Sequence, residues 1–146
     1  MTSLLHPIHL TLFQRARERI EDPTHWTQWA FARTAEGIDC SSHSPDACRW
    51  CVRGAVARTS TELRLNTSVR ECIYWSDTVR LSPAGSFDEF INSLAEQYQW
   101  DIWNYPQAYR DWTRAAKIND EGTHKIVMEL LDNIIRQIKL DLAKQI

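Results

Sequence analysis

Apolar residues recur every three or four positions along most of this 146-residue chain, which is the spacing of one face of an α-helix. The first helix is predicted to begin at Pro7, and the last to run from about Thr123 to Lys144 along a broad apolar stripe. Further helices are predicted over 24–33, 45–58, 69–80 and 87–99, with a short one beginning at Pro106. We therefore expect one all-α domain over residues 1–146, a compact bundle of about six to seven helices that ends in a long amphipathic helix.

Capping residues agree with these predicted helix starts. Asp22 can cap a helix that has Pro23 at its first position, and Ser44-Pro45-Asp46 repeats that arrangement. Ser68 and Ser86 each precede a glutamate by three positions, which is the spacing of the capping box. The local signals and the longer-range periodicity thus predict the same elements.

Composition and charge narrow the class of protein. Apolar residues make up 43% of the chain and charged residues 25%, values that are ordinary for a soluble globular protein. The net charge of −2 provides no global positive field, so neither nucleic acid nor a membrane surface is an expected partner. The N-terminus lacks a signal-peptide pattern, and no stretch approaches the ~20 apolar residues that span a bilayer. We therefore expect a cytoplasmic protein with reduced thiols.

The densest group of potential metal ligands consists of Cys40, His43, Cys48 and Cys51, which fall within twelve residues. Tetrahedral zinc could take Cys40 and His43 from a loop, and Cys48 and Cys51 from the first turn of the predicted helix. The competing interpretation places Cys48 and Cys51 in the core as small hydrophobic residues, with His43 in solvent and no cofactor bound. The spacing alone leaves both interpretations open.

No catalytic residue is predicted. A nucleophilic cysteine at position 48, 51 or 72 would need a base such as His25 or His43, and the sequence does not show that they meet. Nucleophile-elbow, Walker and paired-carboxylate signatures are all missing from the sequence.

Five large aromatic residues follow one another closely in the second half of the chain. They are Trp100, Trp103, Tyr105, Tyr109 and Trp112, and polar residues separate them. This composition is typical of interface hot spots and predicts a binding surface. Alternatively, the rings close the helical core, with their N–H and O–H groups at its edge.

Three segments resemble a family of small uncharacterised proteins found in bacteria and their phages. The first is Asp22-Pro23-Thr-His25-Trp26-Thr-Gln-Trp29-Ala30-Phe31-Ala32-Arg33, the second is Arg49-Trp50-Cys51-Val52-Arg53-Gly54-Ala55-Val56, and the third is Asn119-Asp120. We call these the signature segments. The resemblance implies a compact helical domain but no activity. Of the four potential zinc ligands it covers only Cys51, which it places in the core beside Gly54.

These observations favour a non-catalytic helical protein-interaction module of bacterial or phage origin. Phage relatives suggest a host or defence protein as its target. A small zinc-stabilised regulatory protein is the second hypothesis, and a thiol-dependent enzyme is the third. The last helix adds a self-association hypothesis, because Ile126, Ile135 and Leu140 lie off its main apolar stripe and could meet a twin helix in a homodimer.

Overall fold

A computed structural model describes Leu5, residues 7–63 and residues 114–145. In chain order, the described elements are helix α1 (Pro7–Ile20), a 3-10 helix (Pro23–His25), strands β1 (Ala32–Arg33), β2 (Asp39–Cys40) and β3 (Arg49–Trp50), and helices α2 (Val52–Glu62), α3 (Arg114–Glu121) and α4 (His124–Ala143).

The prediction of an all-α bundle of six to seven helices is wrong. The described residues form four α-helices and an antiparallel sheet of three strands in the order β2-β1-β3. In this sheet the central residue Ala32 has Cys40 as its register partner on one side and Trp50 on the other. Each strand is two residues long, so no alternating pattern can develop along it. These residues are strands because they pair with residues elsewhere in the chain, and local periodicity does not reveal such pairing.

The helix predicted over 24–33 is replaced by the 3-10 helix and strand β1. Asp22 does act as a cap, because its carboxylate accepts a hydrogen bond from the Thr24 N–H at 2.9 Å. The capped element nevertheless ends after one turn, and the chain becomes extended at Trp26. Further along, Gly37 adopts a φ of 82°, a left-handed conformation that suits glycine and allows the tight connection from β1 to β2.

The helix predicted over 45–58 begins seven residues later, at Val52. The Ser44 hydroxyl accepts a hydrogen bond from the Asp46 N–H at 3.1 Å, which closes a local turn instead of starting a helix. The N-cap of α2 is Cys51, whose Sγ accepts from the Gly54 N–H at 3.2 Å. Cys48 therefore lies before β3 and not in a first helical turn.

Both terminal helix predictions are confirmed. Helix α1 begins at Pro7, and α4 begins after Thr123, whose hydroxyl accepts from the Ile126 N–H at 3.2 Å. Of the residues proposed for a homodimer contact, Ile135 is buried and Ile126 packs against the core, while Leu140 is 52% exposed. The helices predicted over 69–80 and 87–99 and from Pro106 lie outside the described residues.

The hydrophobic core lies between α1, α2 and α4. Its fully buried members include Leu12, Phe13, Ala16, Ile20, Val52, Ala55, Val56, Val127, Leu131, Ile134 and Ile138. None of the described helices is long and apolar enough to cross a membrane.

Helix α2 touches the first signature segment through a glycine. A Cβ atom at Gly54 would lie 2.1 Å from the carbonyl oxygen of Phe31, so a larger residue cannot fit without a backbone shift. The same oxygen accepts a hydrogen bond from the Cys51 N–H at 3.1 Å. Gly54 thus allows the start of α2 to lie directly against the chain that leads into β1.

We expect Gly54→Ala to lower the free energy of unfolding by at least about 2 kcal/mol, because the clash outweighs the gain of up to about 1 kcal/mol in helix propensity. Urea denaturation measures the effect. Gly37→Ala is the control, since its Cβ would meet no atom within 4 Å and only the left-handed backbone is strained. That variant should lose about 1 kcal/mol. Equal or greater loss at Gly37 would contradict the close approach at Gly54.

Candidate functional site: a cavity at the signature segments

The three signature segments meet around the side chain of Asn119, near the end of α3. Its Oδ1 accepts hydrogen bonds from Trp26 Nε1 at 2.7 Å and from the Val52 N–H at 3.0 Å. Its Nδ2 donates to the carbonyl oxygen of Thr27 and to Oδ1 of Asp120, both at 3.0 Å. Asn119 is fully buried. Its bond from the Val52 N–H is buried as well, and its bonds with Trp26, Thr27 and Asp120 are partly buried. One amide thereby joins residues that are 67 to 93 positions away in sequence.

The side-chain amide of Gln28 binds the carbonyl groups at the end of α3. Gln28 Nε2 lies 3.0–3.2 Å from the carbonyl oxygens of Asn119, Asp120 and Gly122. The last carbonyl groups of a helix have no hydrogen-bond donor within the helix. The Gln28 amide, from the first signature segment, supplies a donor to them here.

Asp120 holds the backbone of Trp29. Its Oδ1 accepts from the Trp29 N–H at 2.7 Å. Trp29 has a φ of 64°, in the left-handed region that a tryptophan rarely adopts, and it is the only residue other than glycine with a positive φ in the described part of the chain. The residue is 67% exposed. The backbone is therefore fixed while the indole faces solvent.

A cavity of about 240 Å³ opens where these segments meet, and we call it the signature cavity. The described residues that line it are Trp29, Ala30, Phe31, Cys51, Arg53, Asn119 and Asp120. All of them belong to the signature segments. Carbon atoms dominate its wall, with one cationic and one anionic side chain among them.

Arg53 supplies the positive charge of the cavity. Its guanidinium carbon lies 5.3 Å from the centre of the Phe31 ring, within the range of a cation–π contact. The residue is only 7% exposed, although it follows the N-cap of α2 in a run of small apolar residues. The negative charge comes from Asp120, so a ligand in the cavity would meet charges of both signs.

Cys51 combines a capping role with a place in the cavity wall. Burial raises the pKa of its thiol to about 11, although the hydrogen bond from the Gly54 N–H acts in the opposite direction. The side chain is 7% exposed. At neutral pH the sulfur is a protonated thiol and a weak nucleophile.

The other proposed zinc ligands lie on the sheet and its connecting loop. Cys40 ends β2 opposite Ala32, and the Cys48 N–H donates to the carbonyl oxygen of Arg33 at 3.0 Å. Both thiols and His43 are partly buried. Within the residues that the structure describes, no three potential ligands from His, Cys, Asp and Glu are grouped to hold a metal. The zinc site stays a prediction, and the metal content of the purified protein would decide it.

The loop between β2 and β3 is held by Trp50 and Arg58. Trp50 Nε1 donates to the carbonyl oxygen of Ser42 at 3.1 Å, and Arg58 Nη1 donates to the carbonyl oxygens of Ser42 and Ser44 at 2.9 and 3.0 Å. Arg58 and Arg19 also contact the Trp50 ring, at 5.7 and 4.9 Å from its centre. These contacts fix the loop that carries His43 and lies between Cys40 and Cys48.

Of the residues that line the cavity, sequence reasoning identified only Cys51 as a candidate site residue. It missed the six others, which are Trp29, Ala30, Phe31, Arg53, Asn119 and Asp120. An arginine inside the run Val52-Arg53-Gly54-Ala55-Val56 was the one available signal, because a charge amid small apolar residues must find a buried partner. The predicted aromatic binding surface of Trp100, Trp103, Tyr105, Tyr109 and Trp112 lies outside the described residues and stays a prediction.

The chain belongs to a family of unknown function (DUF6197), whose family model matches residues 8–137. The resemblance to an uncharacterised family is thereby confirmed. No curated protein and no solved structure matches the chain.

We expect Asn119→Ala to lower the free energy of unfolding by at least about 2 kcal/mol, because it removes the partner of the buried Val52 N–H and of the partly buried Trp26 indole N–H and Thr27 carbonyl. Asn133→Ala is the matched control, since the hydrogen bond that the Asn133 amide oxygen accepts among the described residues is an exposed one from Arg136. That change should stay within about 0.5 kcal/mol. Equal effects in chemical denaturation would contradict the role of Asn119.

We expect Cys51 to react slowly with iodoacetamide at neutral pH and about tenfold faster with each unit of pH, without a plateau below pH 10. The raised pKa keeps the thiolate fraction small until the pH approaches about 11. The measurement uses a variant with serine at positions 40, 48 and 72, and acetyl-cysteine-amide as the control with an ordinary thiol pKa of about 8.5. A plateau in the rate of Cys51 alkylation below pH 9 would show that burial does not raise the pKa of its thiol.

Proposed function

We propose that this member of the family is a non-catalytic protein-interaction module and that Trp29, beside the signature cavity, is its main contact residue. The observation that carries the proposal is an exposed indole on a fixed and strained backbone. Tryptophan supplies a large contact area and is enriched at interface hot spots.

The conformation of Trp29 has a cost that the packing of the core does not explain. A left-handed backbone costs a residue with a side chain roughly 1–2 kcal/mol. Here the hydrogen bond to Asp120 stabilises that backbone in a tryptophan that is 67% exposed. Strain of this kind tends to be retained at functional sites, since folding alone would favour a relaxed backbone and a buried indole.

A second exposed apolar side chain belongs to the same region. Ile38 is 63% exposed. The Arg33 guanidinium donates to the carbonyl oxygens of Gln28 at 3.3 Å and Gly37 at 3.1 Å. Gln28 and Gly37 directly precede Trp29 and Ile38. The Arg33 side chain therefore bonds to both of the backbone segments that carry these exposed residues. Together the two side chains offer a partner more apolar area than the indole alone.

The chemistry of the cavity also supports binding over catalysis. Its thiol is protonated at neutral pH because burial raises the pKa of Cys51 to about 11. Among the described lining residues there is no histidine to act as a base. A nucleophilic mechanism would need both an activated sulfur and such a base.

Affinity capture from a lysate of the source organism tests the proposal with three forms of the full chain: wild type, Trp29→Ala and Leu140→Ala. Leu140 is the matched control because it is also a large exposed apolar residue but lies on α4. We expect wild type and Leu140→Ala to retain the same partner. Trp29→Ala should weaken it by at least about thirtyfold, as for a hot spot worth about 2 kcal/mol.

Capture of the same proteins at equal strength by all three forms would contradict the proposal. Turnover of a small molecule that stops in Cys51→Ser would contradict it as well, because it would establish a thiol enzyme.

A further inference from the structure

Beside the signature cavity, the backbone between the 3-10 helix and β1 offers hydrogen-bonding groups that the described structure does not use. Trp29, Ala30 and Phe31 form this stretch of the cavity wall. Within the described part of the chain, the N–H and C=O of Ala30 and the N–H of Phe31 take part in no hydrogen bond. Ala30 is half-buried. An unused donor and acceptor on one residue match the pair that an extended peptide presents.

The cavity has a size that suits one side chain. A dry cavity of about 150 Å³ accommodates a benzene molecule. The signature cavity, at about 240 Å³, has room for a branched aliphatic or an aromatic side chain. A whole helix or a folded surface would not enter such a space, whereas a single residue of a peptide would.

The cavity gives a charged side chain no net electrostatic advantage. Asp120 would attract a lysine or arginine side chain that Arg53 repels, and Arg53 would attract an aspartate or glutamate side chain that Asp120 repels. The largely apolar wall would leave either charge poorly solvated. A neutral apolar side chain avoids that penalty and contacts Phe31 and Trp29.

On these grounds, and resting on the proposed function, we infer that the partner contributes an extended peptide segment. One of its residues pairs with the backbone of Ala30 and places a neutral apolar side chain in the signature cavity. Main-chain pairing supplies affinity, and the cavity supplies selectivity for the inserted residue. Trp29 covers the segment from its exposed side.

Blocked pentapeptides of the form acetyl-Thr-Thr-Xaa-Thr-Thr-amide test this inference by NMR titration of the full chain. We expect peptides with leucine or phenylalanine at Xaa to bind at least tenfold more tightly than those with glycine, lysine or glutamate. N-methylation of the central leucine nitrogen removes the donor for the Ala30 carbonyl and should weaken binding at least tenfold. Trp29→Ala should weaken binding of the leucine peptide, and Leu140→Ala should not.

Three results would overturn the inference: no saturable shift with the leucine or phenylalanine peptide, equal binding of the glycine peptide, or equal binding of the N-methylated peptide. The outcome is separable from that of the proposed function. If the peptides fail to bind but capture of a partner still depends on Trp29, the proposed function stands and recognition of an extended peptide is excluded. Peptide binding with no loss of partner capture in Trp29→Ala would instead contradict the proposed function.

Discussion

The side-chain amide of Asn119 is the polar group on which the arrangement of the described residues most depends. Its oxygen satisfies the indole of Trp26 and the first N–H of α2, while its nitrogen satisfies Thr27 and Asp120. A buried amide with a partner missing would cost free energy, so these contacts are mutually dependent. The end of α3 therefore fixes both the start of α2 and the chain that follows the 3-10 helix.

The signature cavity is a consequence of this constraint. Asn119 places Asp120 where its carboxylate can hold the backbone of Trp29, and Gly54 allows Phe31 to lie against α2. The wall then contains an exposed indole, a protonated thiol and two opposite charges.

The terminal helices were predictable because their signals are local. Pro7 and Thr123 mark helix starts, and the apolar stripes that follow pack into the core. The middle of the described chain was not predictable, because its strands form only by pairing with residues that are distant in sequence. Asp22 was predicted as a cap and is one, yet pairing of Ala32 with Cys40 and Trp50 replaces the helix that was expected to follow.

The site, too, was predictable where the signal is local and unpredictable where it depends on residues distant in sequence. The resemblance pointed to three segments, including the Asn119-Asp120 pair, but their convergence is a tertiary property that no spacing in the sequence contains. Cys51 was considered a zinc ligand or a core residue. It is buried beside Gly54, as the resemblance implied, and it also serves as the N-cap of α2 in a cavity wall. A sulfur is an uncommon cap, so the more usual signal at Ser44 took precedence in the sequence.

Native-state hydrogen exchange at two protons tests the central role of Asn119 most directly. The Trp26 indole N–H and the Val52 amide both donate to its Oδ1. We expect each to exchange at least roughly 10³-fold more slowly than in an unstructured peptide, with protection close to that of the Leu131 amide in the core of α4. Exchange of both protons within about tenfold of the unstructured rate, while Leu131 stays protected, would contradict the convergence of the signature segments on Asn119.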